Sequence, residues 1–140
     1  MALDTAVIFL PSLKVGGDFV DVIRRPGSEE TTLLLGDVSG KGFDSAFVSL
    51  RIERELREMA REPGHPPTIL ARRINQSICA EMDGRMPFTL FIGCLNERRL
   101  QYLSAGHDTA ILLRREHGEY LPATMPLLGF SNDIECVARE

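Results

Sequence analysis

A chain of 140 residues, 44% of them hydrophobic and 26% charged, suits one domain over residues 1–140 with a single core, and excludes a disordered or fibrous polymer. Its formal charge of −4, with acids and bases mixed along the sequence, argues against a nucleic-acid surface built on phosphate neutralisation. The apolar run 6–10 is too short to span a membrane and has no basic stretch before it, which makes the cytoplasm the default location.

Residues 1–13 carry an apolar piece, Val7-Ile8-Phe9-Leu10-Pro11, that reads as a tail or half-element. Residues 15–23 then alternate in strand fashion, with Gly16 and Gly17 marking a bulge or a close backbone approach. Pro26-Gly27-Ser28 is a turn signal, and residues 31–37 form the returning strand of a hairpin. If the two strands are antiparallel neighbours, Asp18 and Asp37 lie near one edge.

From 43 to about 60, two lines of apolar residues recur at helical spacing: Phe43, Phe47 and Leu50, and Val48, Ile52, Leu56 and Met59. Together they predict a helix with a wide buried stripe. Glu53 with Arg57 and Arg54 with Glu58 supply opposite charges at i, i+4. Pro63-Gly64-His65-Pro66-Pro67 stops this helix, and a second begins near Pro67 and runs to about Met82, where Asp83-Gly84 ends it.

Residues 88–95 are apolar on both alternate sets, as expected for a central strand covered on both faces. Residues 100–105 read as its antiparallel partner. Gly106-His107-Asp108 interrupts, residues 109–113 resume as a strand, Gly118 turns the chain, and Tyr120-Leu121 and residues 134–138 are further short strands. The order predicts an α+β fold: two helices on one face of a mostly antiparallel sheet.

Cys79, Cys94 and Cys136 are widely spaced and flanked by apolar residues, which reads as buried reduced thiols and not as a zinc site or a disulfide framework. The arginine pairs at 24–25, 72–73, 98–99 and 114–115 read as solvated faces or strand ends.

The stretch Gly36-Asp37-Val38-Ser39-Gly40-Lys41-Gly42 joins a strand to a helix. A Walker-type phosphate loop needs four residues between its first glycine and Gly-Lys, followed by a hydroxyl residue. Only three separate Gly36 from Gly40, and Gly42 stands where the hydroxyl belongs. A calcium loop of the EF-hand kind lacks its alternating acids and distant glutamate. What remains is a pair of carboxylates, Asp18 and Asp37, each beside glycine at a strand end. That pairing suits hard divalent cations, and equally the ordinary chemistry of turns.

Five motifs occur in order: Val15-Gly16-Gly17-Asp18-Phe19-Val20-Asp21, the stretch 36–42, Phe88-Thr89-Leu90-Phe91, Ala105-Gly106-His107 and Pro126-Leu127-Leu128-Gly129. Together they resemble the metal-dependent protein phosphatases (PPM), specifically the bacterial SpoIIE/RsbU branch related to protein phosphatase 2C. The resemblance implies an αββα sandwich that binds two Mn2+ or Mg2+ ions and removes phosphate from serine or threonine of a partner protein by metal-activated water. It implies that Asp37 bridges the metals, that the Val38 carbonyl is a ligand, and that Asp18 lies at the same centre. Asp18 and Asp37 are thus the candidate catalytic residues, and Asp18, Asp37 and Val38 the candidate metal ligands.

The family's later Thr-Asp-Gly element is missing from the sequence, so the resemblance is to an incomplete sandwich, truncated at its C-terminal side. The same residues also suit an alternative: a non-catalytic remnant of the fold that binds a regulatory partner. The resemblance implies an anti-sigma-factor antagonist as the phosphoprotein substrate, and apolar surface left uncovered by the missing segment would favour a homodimer. Lys41 and His107 are candidates for contact with phosphate, Asp21 for a supporting or structural role, Asp44 for a partner of the helix dipole, and Asp108 for a substitute for the missing acid.

Overall fold

The computed structural model describes residues 3–10, 16–115 and 117–140; Val15 and Pro11, which belong to two of the segments discussed above, lie outside them. Alternation of apolar residues sets up the first hairpin. β1 (Asp18–Arg24) and β2 (Thr31–Val38) pair antiparallel, with Phe19, Ile23, Leu34 and Val38 buried on one face. Arg25 and Glu30 close the loop between them through a main-chain hydrogen bond of 3.1 Å and an ion pair of 3.0 Å.

Two helices follow, α1 (Phe43–Ala60) and α2 (Pro67–Met82). The first starts at Gly42, whose φ of 81° places it in the left-handed region that favours glycine. The second starts with proline at its first position and ends on Asp83 in the left-handed conformation. Both lay their apolar stripes on the same sheet face. Val48, Ile52 and Leu56 from α1 and Leu70, Ile74 and Ile78 from α2 are essentially inaccessible to water, packed with Leu34, Leu90, Ile92 and Leu103. At roughly 1.5–3 kcal/mol for each large side chain buried, this layer is the main source of stability.

β3 (Phe88–Asn96) lies between β2 and β4 (Arg99–Ala105), giving a four-stranded antiparallel sheet in the order β1-β2-β3-β4. β5 (Ala110–Leu113) and β6 (Gly118–Leu121) make a separate hairpin. Its Leu121 packs on Phe91 and Tyr102, whose rings stack at 5.9 Å on the sheet face opposite the helices. The α+β expectation holds, and so does a β3 covered on both faces.

Three expectations are corrected. The apolar line Phe43, Phe47 and Leu50 is not buried; these side chains are 81%, 70% and 65% exposed. The sheet and α2 can cover only one side of α1, and the Val48, Ile52, Leu56 line occupies that side. Residues 134–138 are not a strand: Ile134, Cys136 and Ala138 do alternate inward against the core, but the only pairing nearby is an isolated bridge between Tyr102 and Arg139. Of the three cysteines only Cys79 is buried; Cys94 and Cys136 are half-buried. All three are free thiols, and burial pushes Cys94 up to about 11, which keeps it protonated and unreactive.

Candidate metal centre

In the ladder Asp18 is the direct partner of Asp37, and Asp37 is the direct partner of Thr89 on β3. Residues opposite each other in antiparallel strands share a face. Two carboxylates and a hydroxyl therefore line up across three strands at one end of the sheet, on the face away from the helices. Both carboxylates remain exposed to solvent at this edge.

The fourth contribution comes from the turn after β4. Thr89 Oγ1 and His107 Nδ1 share a hydrogen bond of 2.8 Å, which swings the imidazole back over the edge and leaves Nε2 as its other ring nitrogen. The turn is held in place by the Gly106 N–H, which donates to the Met125 carbonyl at 3.0 Å. His107 stands close enough to draw the Asp37 pKa down, against several opposing influences. Burial first, then the charge of Asp18, a hydrogen bond shared with Asp18 and the charge of Asp108 push the Asp37 carboxyl above its ordinary value.

Val38 is buried, and its main chain runs past Gly17. The Val38 N–H donates to the Gly17 carbonyl at 3.2 Å, and a Cβ on Gly17 would lie 2.2 Å from the Val38 carbonyl oxygen. Glycine is required there because any side chain would displace that oxygen. The loop then crosses toward α1: Ser39 N–H bonds to the Pro87 carbonyl at 2.9 Å, and Lys41 is exposed immediately before Gly42.

Asp21 stands apart from this group. Opposite Leu34, it faces α1, where Arg57 Nε donates to its Oδ2 at 2.7 Å, and its Oδ1 accepts from the Val22 N–H at 2.8 Å. The pair ties β1 to α1. Asp21→Asn is expected to cost about 1 kcal/mol in urea unfolding while leaving manganese affinity within about threefold, since outer-shell groups that do matter to a metal change affinity 10–100-fold. Asp44 sits in the first turn of α1, as a dipole partner should, and Asp108 is exposed beside His107.

Two carboxylates on directly paired residues, with a main-chain oxygen next along the strand, form a hard oxygen donor set that suits Mg2+ or Mn2+. Such ions need only one or two carboxylates, with water and phosphate filling the other positions. The residues fit an open site of that kind. Among the described residues, no group of three or more His, Cys, Asp or Glu side chains is arranged to enclose an ion.

The family model described as stage II sporulation protein E (SpoIIE) matches residues 27–140. The chain belongs to the SpoIIE family. No curated protein matches its sequence. Among solved structures, the RsbU and RsbW domains of Rv1364c from Mycobacterium tuberculosis superpose with a TM-score of 0.76 at 22% identity, over 93% of this chain and 37% of that one. The PP2C phosphatase domain of SpoIIE from Bacillus subtilis gives 0.69 at 19% identity, over 90% of this chain and 38% of the other. The serine/threonine phosphatase Stp1 from Staphylococcus aureus gives 0.75 at 10% identity, over 98% and 74%. This member of the SpoIIE family thus has the fold of PPM-type serine/threonine phosphatases, and it spans well under half the length of the first two structures. None of its described helices is long and apolar enough to cross a membrane.

Thr89 had no assigned role in the sequence, although it lies inside a recognised motif, because only pairing to Asp37 reveals what it holds. Asn75 gave no signal at all. It is 2% exposed on α2, its Oδ1 accepts from the Gly129 N–H at 2.8 Å, and its Nδ2 donates to the Ser131 carbonyl at 2.8 Å.

Proposed function

We propose that this SpoIIE-family domain is a metal-dependent serine/threonine phosphoprotein phosphatase whose centre is built on Asp18, Asp37 and the Val38 carbonyl. The observation that carries the reading is the direct pairing of Asp18 with Asp37 across β1 and β2. A bound Mn2+ or Mg2+ supplies Lewis-acid stabilisation of phosphoryl charge and acidifies water for attack on phosphorus. Asp18 and Asp37 would hold the cation, at a spacing that the strand ladder fixes. Val38 adds a neutral oxygen whose position depends on Gly17. His107, oriented by Thr89 through its Nδ1, would offer its second ring nitrogen to a phosphoryl oxygen or to the leaving serine oxygen. Lys41, in the exposed loop before α1, attracts the phosphoprotein's charge.

The substrate we propose is a phosphorylated bacterial signalling protein of the anti-sigma-factor antagonist kind, met in the cytoplasm; membership of the SpoIIE family supports the phosphoprotein class. A second reading, a partner-binding module without catalysis, is favoured by the absence of a three-residue acidic or histidine cluster among the described residues. Calorimetric titration with Mn2+, paired with an assay of phosphate release from a phosphoserine protein, separates the two. Heat of binding with hydrolysis that stops in excess chelator supports the phosphatase. Hydrolysis that persists in chelator overturns the metal mechanism, and neither heat nor hydrolysis from a folded protein supports the module.

A further inference from the structure

Two buried polar side chains, Ser45 and Ser49, interrupt the apolar face that α1 lays on the sheet. Each hydroxyl donates one turn back along its own helix, Ser45 to the Gly42 carbonyl at 3.2 Å and Ser49 to the Ala46 carbonyl at 2.9 Å. Such a local bond satisfies a serine inside a helix without any further partner. Ser49 has one nonetheless: its Oγ also donates to the Gly16 carbonyl at 3.3 Å, 33 residues earlier in the chain, as a three-centre bond.

Gly16 lies where other support is thin. β1 is an edge strand that begins at Asp18, so its ladder with β2 starts only after the two glycines. A Cβ at Gly16 would meet nothing within 4 Å, whereas Gly17 is wedged against Val38. Frayed ends open more readily than the paired interior of a sheet. Gly17 accepts the Val38 N–H, and Asp18 follows directly. Movement at Gly16 therefore reaches Asp18 and the main chain of Val38 together.

We infer that Ser49 is a positioning residue for the metal centre: it ties the entry of β1 to α1, and so holds Asp18 and the Val38 carbonyl in place for the cation. This role rests on the metal reading proposed above. It differs from that of Arg57, which grips Asp21 further along β1, where the ladder already fixes the strand.

Hydrogen exchange of the metal-free chain and calorimetric titration with Mn2+ test this on the parent, Ser49→Ala, Ser49→Cys and Asp21→Asn. Alanine removes the hydroxyl, and cysteine keeps the bulk but donates only weakly. In both Ser49 variants the Val38 amide, bonded to Gly17, is expected to exchange about 10-fold faster relative to the Leu34 amide in the middle of β2. Mn2+ binding is expected to weaken about 10-fold, the lower end of the range for a group that orients a ligand. Asp21→Asn leaves the exchange ratio unchanged and Mn2+ affinity within about threefold. A Val38-to-Leu34 ratio that keeps its parent value in Ser49→Ala overturns the inference, since any loosening is then general. Parent-like values in Ser49→Cys reject the hydrogen bond in favour of packing. A parent that binds no Mn2+ overturns the metal reading and with it the role of Ser49. A parent that binds, beside a Ser49→Ala that binds equally well, overturns the role of Ser49 alone.

Discussion

If Asp37 is a ligand of the proposed centre, Asp37→Asn is expected to leave the fold intact and to weaken manganese binding by more than about 100-fold, because loss of a ligand exceeds the 10–100-fold cost of losing an outer-shell partner. On the proposed phosphatase reading, hydrolysis of a phosphoserine protein is expected to fall by at least about 1,000-fold with it, because the electrostatic centre of the reaction is dismantled. The same variant should be no less stable than the parent in the absence of metal at pH 7. The reason is the sign of the Asp37 shift. Its carboxyl titrates above the ordinary 3.8, so the folded protein holds that proton more tightly than the unfolded chain does. The resulting stability is present below the ordinary value and is lost as pH rises through the raised one. At neutral pH the two facing carboxylates repel, and an amide at 37 ends the repulsion. Thermal unfolding with and without Mn2+ measures both effects. The parent chain should gain melting temperature on adding the ion, and Asp37→Asn should not. A variant that keeps the metal-induced gain would remove Asp37 from the centre.

Asn75→Leu is expected to cost about 3 kcal/mol and to lower the melting temperature by about 10 °C. Leucine fills nearly the same volume, so the effect is one of hydrogen bonding and not of a cavity. The buried Gly129 N–H would be left unsatisfied, at about 1–3 kcal/mol for such a group, and the half-buried Ser131 carbonyl would lose a hydrogen bond as well. The consequence reaches the candidate centre through the loop 126–131. Leu128 exchanges two main-chain hydrogen bonds of 2.9 Å with Phe88, the residue before Thr89. Leu127 packs so closely on Gly106 that a Cβ there would come within 3.0 Å of it. Loosening the loop therefore loosens both supports of His107. A fall in melting temperature below about 3 °C would show that Asn75 is not the anchor of this loop.

These two residues mark opposite ends of what a linear reading can reach. Asp37 is conspicuous because a strand-like run ends on it among glycines, and the order of five short motifs placed it in a phosphatase-like domain. Asn75 is invisible because its partners lie 54 and 56 residues away, and a polar residue within a helical pattern reads as surface. Thr89 is an intermediate case: its motif is recognisable, but its hydrogen bond to His107 depends on where β4 ends.

Local regularities were enough to identify nearly every element. Periods of two and of 3.6, proline at a helix start and glycine at turns act over a few residues, and they determined the strands, both helices and the helix-on-sheet arrangement without reference to the rest of the chain. Tertiary structure decided what those regularities leave open. It chose which of two apolar lines on α1 would face the sheet, because one helix has more apolar surface than one sheet face can cover. It set Asp18 against Asp37 and not one residue away, because a slip of one residue would carry Phe19 and Ile23 from the core to the opposite face. It brought His107 to Thr89 through a turn whose position rests on a distant loop. The kinds of residue at the centre were thus written in the sequence, while their juxtaposition came from packing the hairpin on two helices, which allows only one register.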